Sequence, residues 1–369
     1  MLLFVKINKL FACSLIAIIF TINAAKAQPL YPYWDQYNMH FNVFDNGQIR
    51  NIEIQKPQSF KAGASVCAYV SNVNDFKIYF NGKSTIVSRF VPKSYDCSNS
   101  MVSWNTGVSS FVFFNGNVKK LCDGCSGITM NDSMVQFNDR YGFFSVFYNN
   151  RIRSLEISPE TGFTLGRNLI VFVDRNNYLK VWYHDTTVIL ENSHANLKYS
   201  CGLNTVGFID VTNRLRVFYK NKIFTLDKLP PKNFVVGDDM VAWVDQNNNL
   251  RIFHKGNVFL LENYDPGNFN IIEGVMFYKS NINELKVFEN GKGRAIESYF
   301  PTSFSAKNSL LVYSDFRNRL KAYVEGEVYN VSEDIVTSYA VYPGLVAFYS
   351  NAKSLTFWTK EDHIEVQIN

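Results

Sequence analysis

Aromatic residues recur at two positions of a repeat of about 35 residues, ten times over, and this narrows the possible folds more than any other feature of the chain. The first column is Trp34, Tyr69, Trp104, Phe137, Phe172, Phe208, Trp243, Tyr278, Tyr313 and Phe348. The second is Phe44, Tyr79, Phe113, Phe147, Trp182, Phe218, Phe253, Phe288, Tyr323 and Trp358. Successive members of either column stand 33 to 36 residues apart. Aromatics are 16% of the 369 residues, so composition alone would leave most of these slots to other side chains. Each ring shares a strand face with its i−2 neighbour, as Trp243 does with Val241, and buries roughly 150–250 Å². Units this short cannot bury such a face alone and must stack on one another. The rings are therefore expected in the core; an exposed ladder for stacking sugars or bases is the alternative use of the same columns.

Local patterns give the unit its shape. Residues 169–182, 206–218 and 240–253 share one template of apolar strand, Asp/Asn-rich turn and second strand. Next come Asn46-Gly47, Asn81-Gly82, Asn115-Gly116 and Asn290-Gly291, pairs that suit type I′ hairpins because both central residues need positive φ. Lys255-Gly256 and Glu325-Gly326 are looser versions. A third strand follows, as at 257–261, and a shorter fourth segment leads into the next unit, as at 233–239. Nothing after the first 27 residues reads as helix; 158–161 and Pro230-Pro231 read as turns or loops. Four short strands per unit predict an all-β chain folded as a β-propeller. Ten blades exceed the usual range of about four to eight, so two five-bladed rings and an open β-solenoid fit the same count. One closed ring is favoured, because no interval near the middle is stretched as a junction would require. The residues around Tyr31 are expected to complete or seal the last edge.

Residues 1–27 read as a cleavable signal peptide and 28–369 as the repeat domain. Lys6 and Lys9 precede an apolar run from Leu10 to Ile22, and Ala25-Lys26-Ala27 forms an A-x-A site before Gln28. Leu10-Phe11-Ala12-Cys13 looks like a lipobox, but the apolar run follows Cys13 instead of preceding it. The protein is thus expected to be exported, to the periplasm or the cell exterior. No later stretch approaches the ~18 apolar residues of a membrane span. Without Lys6, Lys9 and Lys26 the formal charge falls from +5 to +2, with basic residues scattered singly, which argues against a nucleic-acid partner.

Five cysteines then remain, Cys67, Cys97, Cys122, Cys125 and Cys201, so at least one is unpaired or bridges to another chain. Cys122 and Cys125 have C-x-x-C spacing and form the candidate disulfide; no second such pair and no nearby histidine point to a metal. Cys67 occupies a strand position held elsewhere by aliphatic residues and is expected in the core. His40, His184, His194, His254 and His363 lie far apart and are expected at the surface. Asp139, Asp174, Asp210, Asp245 and Asp315 recur between first and second strands, with Asn176, Asn213, Asn247 and Asn318 shortly after. Calcium is one reading of these carboxylates. Asx-turns, which need only one per turn, are the expected one.

The repeats resemble β-propeller blades in general, and the Asp/Asn turn is similar to that of periplasmic TolB-type propellers. This resemblance implies architecture alone. No unit carries the Gly-His and Trp-Asp pairs of WD40 blades at the expected places, Trp34-Asp35 being an isolated match, and the double glycines of kelch and the Asp box of sialidases are missing, so no family's functional residues carry over. No catalytic residue, cofactor or metal is assigned. What repeats is core and turn, while exposed polar positions differ from unit to unit; this fits one site assembled from unlike blades better than a multivalent lectin. The chain is expected to be a non-enzymatic protein-interaction or ligand-binding module at the envelope or outside the cell. A carbohydrate-binding propeller is the alternative, and a polysaccharide hydrolase or lyase the third reading.

Overall fold

A computed structural model describes residues 29–157, 162–193, 198–351 and 354–368. The proposed signal peptide, His194 and the 158–161 turn lie outside the described residues. Among those described there is no helix, and so none long and apolar enough to cross a membrane. They form ten antiparallel sheets, nine with four strands and one, the first, with three. Each sheet is a meander and forms one blade. Blade 1 covers 30–53, blade 2 covers 59–88 and blade 3 covers 94–123. Blades 4 to 7 cover 126–157, 163–191, 199–227 and 233–262, and blades 8 to 10 cover 269–297, 304–330 and 338–367.

The aromatic columns are the cement. Nine members of the first column are buried, Trp34 alone being half-buried, and in the second column only Phe288 is not fully buried. A ring with no exposed face has nothing to offer a sugar or a base. The buried side chains divide into ten clusters, one at each junction between successive blades. The cluster of Tyr33 and Phe44 with Leu345, Leu355 and Phe357 joins blade 1 to blade 10, and the Phe44 and Phe357 rings stack at 4.4 Å. The ring is therefore closed, and neither two five-bladed rings nor an open solenoid describes it.

The hairpin pairs adopt the expected geometry: Asn81 and Gly82 have φ of 48° and 75°, and His184-Asp185 and Lys220-Asn221 do the same without glycine. The Asp turns are Asx-turns. One oxygen of Asp245 accepts the N–H groups of Asn247 and Asn249, and the other accepts from Arg251 Nε at 2.8 Å. Asp174, Asp210 and Asp315 repeat this with Lys180, Arg214 and Arg319 as the cations, so these carboxylates are already occupied.

Three features differ from the sequence reading or escaped it. The short fourth segment of each unit is the innermost strand of the next blade, so blade 10 has four strands of its own and the three-stranded blade is the first. Tyr31 nevertheless lies at the seam, its ring edge-on to Tyr342 and Phe357. In blades 1 to 8 the pairing of third and outer strands slips by one residue at the same place, as between Leu250 and Arg251. Such a bulge increases the local twist. Finally, the hydroxyls of Tyr69, Tyr278 and Tyr313 reach back to Glu53, Glu262 and Glu297 on the outer strand of the preceding blade. Each of those carboxylates also takes a lysine, Lys77, Lys286 or Lys321.

Candidate functional site at the channel mouth

The meander puts the turns between first and second strands, and the hairpins between third and outer strands, on one face of the ring. The Asp turns and blade-to-blade connections lie on the other. First strands of successive blades run side by side around the axis, and their convergence demands small residues. A Cβ on Gly202 would overlap the carbonyl of Gly237, and one on Gly63 that of Ser98, so backbone meets backbone there.

Just beyond these glycines, side chains of six blades and a backbone N–H of a seventh gather at the mouth of the channel. Arg167 of blade 5 donates to Asp238 of blade 7 at 2.6 Å and to Asn308 of blade 9 at 2.9 Å, and lies 3.7 Å from Asp132 of blade 4. Lys307 of blade 9 pairs with Glu273 of blade 8 at 2.6 Å and stands 3.9 Å from Asp132, almost across the ring. Asn99 of blade 3 donates to Asp132, and the backbone N–H of Leu203 in blade 6 donates to Asp238. Two cations thus face three carboxylates. Burial opposes the charge of Arg167, but Asp238, Asp132 and Glu273 together hold its pKa above the ordinary value.

This bridge divides the mouth into two cups. The larger, about 310 Å³, lies among blades 5 to 9 and is lined by Asp239, Met240, His254, Lys255 and Gly274 beside the bridge residues. The smaller, about 250 Å³, lies between Asn99, Met130, Asn131, Lys307 and Tyr342. Burial, then neighbouring Lys255, lowers the pKa of His254, leaving it neutral at pH 7. His254 is therefore part of the mouth and not a free surface histidine. Cups of this size suit single side chains or small polar groups of a partner, at the low end of ligand pockets.

Of the cysteines, Cys97 belongs to the lining of the smaller cup, and Cys67 and the Cys122–Cys125 pair lie away from both cups. Cys122 and Cys125 are joined, with Cα atoms 5.8 Å apart, across the short connection from blade 3 to blade 4. Cys67 is fully buried in the junction of blades 1 and 2, and burial pushes its thiol up; Cys97 rises to about 12 for the same reason. Among the described residues no three His, Cys, Asp or Glu side chains are grouped to hold a metal ion. The mouth residues carried no individual signal in the sequence. Arg167, Asp238 and Asn308 fell within the fourth segments of the repeat, but which blades face one another across the axis was not visible there.

The protein is a closed propeller of ten blades whose unlike turn residues meet at one end of the central channel. The chain belongs to the family of the 10-bladed beta propeller domain, whose model matches residues 24–363. No curated protein matches it. Among solved structures it is similar to the computationally designed Ika8 protein, at 12% identity and a TM-score of 0.34 over 72% of this chain and 95% of that one. It is also similar to Hsv2 of Kluyvelomyces marxianus, at 10% identity and TM-score 0.31 over 85% and 98% of the two chains. The tricorn protease follows at 10% identity and TM-score 0.25, over 89% and 42%. Likenesses this distant carry no argument about geometry or chemistry.

Proposed function

We propose that this protein is an exported, non-enzymatic binding module that presents the divided channel mouth to a protein partner. The observation that carries this reading is the contrast between what repeats and what does not. The repeating residues are consumed in the core, the hairpins and the Asx-turns. The residues that differ between blades, from Asn99 to Asn308, converge on one polar basin, where a partner finds a unique surface instead of ten equivalent ones. Side chains braced by ion pairs lose little freedom on binding, which favours affinity.

The test is capture from envelope extract by the mature protein, set beside Lys255→Glu, which reverses one exposed charge on the rim of the larger cup. A stoichiometric protein captured by the parent and lost by at least about tenfold with Lys255→Glu is the expected outcome. A partner indifferent to that change, or binding on a glycan array with no protein captured, would overturn the reading. The export half is checked separately by the N-terminal sequence of the protein made in its own cells, expected to begin at Gln28.

A further inference from the structure

The face opposite the mouth carries most of the exposed large hydrophobic side chains. Among the described residues none of them lies in a turn of the mouth face, and the rest stand on strands. They concentrate in an arc over blades 1 to 4, at the tips of separate turns: Tyr37, Ile54, Val73, Phe90, Val108 and Tyr141. Phe90 is 81% and Tyr141 69% exposed, so neither owes the fold its packing. Exposed cations stand beside three of them. Lys56 follows Ile54 by two residues, Arg89 precedes Phe90, Lys93 follows, and Arg140 covers the Tyr141 ring at 4.6 Å. The acids of this arc are largely spent: Asp123 pairs with Lys120, Asp139 caps its own turn, and Asp35 is buried, leaving Asp75. Elsewhere on the same face Asp265, Glu284, Glu333 and Asp334 sit in the turns of blades 8 to 10.

We propose that this arc docks the ring on an anionic lipid surface. A protein interface gathers its apolar residues into a contiguous, charge-depleted core. Here the apolar tips stand on separate turns, and Ile54, Phe90 and Tyr141 have a Lys or Arg close by in the chain, which suits a fluid partner. The ring or aliphatic group enters the acyl boundary while the cation stays among the phosphates, and attraction grows with buried apolar area and with anionic lipid content. A second copy is disfavoured, since the same cations would meet face to face. Rigid attachment of the tips to a closed ring lets several enter at one depth, and leaves the mouth turned away from the membrane.

The experiment is flotation of the mature protein with vesicles of phosphatidylcholine, alone or containing phosphatidylglycerol. Binding is expected to the anionic vesicles, weakening with added salt, and falling about tenfold or more in Phe90→Ser/Tyr141→Ser. Phe316→Ser, on blade 9 of the same face, should change it much less. Thermal unfolding of the variants should match the parent, because the replaced rings are exposed. No binding to anionic vesicles, binding equal on both vesicle types, binding untouched by the double variant, or a protein that requires Phe90 and Tyr141 in the absence of lipid binding would each overturn the proposal.

Discussion

A buried aspartate in a turn does two jobs with its two oxygens, and Asp245 shows both. It replaces the missing backbone acceptors of a tight connection, and it neutralises Arg251, which would otherwise lie bare along the strand. Although burial alone would raise it, Arg251, Asn249 and Asn247 together hold the carboxyl at about 2. The folded pKa lies below the unfolded 3.8, so the stability it adds is complete above that value and is lost as pH falls through about 2. Asp245→Ala should therefore cost about 1–3 kcal/mol at pH 7 by denaturant unfolding, and its deficit against the parent should shrink on acidification towards pH 2. A deficit independent of pH would mean the carboxylate's charge contributes nothing.

At the scale of the element, the blade is a meander whose inner strand is short because the axis leaves no room. Gly166, Gly202 and Gly237 mark successive close approaches of backbone to the next blade. Gly202→Ala should destabilise by about 1–3 kcal/mol, because its methyl group meets a carbonyl and not a side chain that can turn aside. Wild-type stability in that variant would show that neighbouring inner strands slide freely. The outer end of the blade is held differently, by the tyrosine hydroxyls that reach the preceding blade's Glu53, Glu262 and Glu297. These acids stand 16 residues before their tyrosines in the chain, a spacing legible in hindsight but too dilute to notice without the columns.

For the whole molecule the decisive contact is the seam. Closure makes every blade an interior one and covers the apolar sheet faces that an open array would expose at its two ends, while each separate sheet keeps a short outer edge strand. Phe357 sits at that seam against Tyr31, Tyr33 and Phe44. Phe357→Ala should cost about 3–5 kcal/mol, with hydrogen exchange accelerating in blades 1 and 10 before blades 5 and 6. Uniform acceleration would instead mean that the ring opens only as one unit.

The sequence by itself determined the blade: the period, the alternation that buries Trp243 beside Val241, the Asn-Gly hairpins and the Asp turns all depend on contacts within a few residues or on a repeat that any unit can display. It placed Arg167, Asp238 and Asn308 in the short fourth segments of their units, without marking them as a site or saying which blades meet. Ring closure depends on the angle between neighbouring blades, a small quantity summed over ten junctions, and no single residue encodes it. The tertiary structure alone decided that Lys307 would approach Asp132 from the far side of the ring, that Arg167 would join Asp132, Asp238 and Asn308, and that the exposed rings of Phe90 and Tyr141 would share a face. Residues so far apart in the chain become neighbours only once the angle is set, because convergence on an axis is a property of the ring and not of any blade.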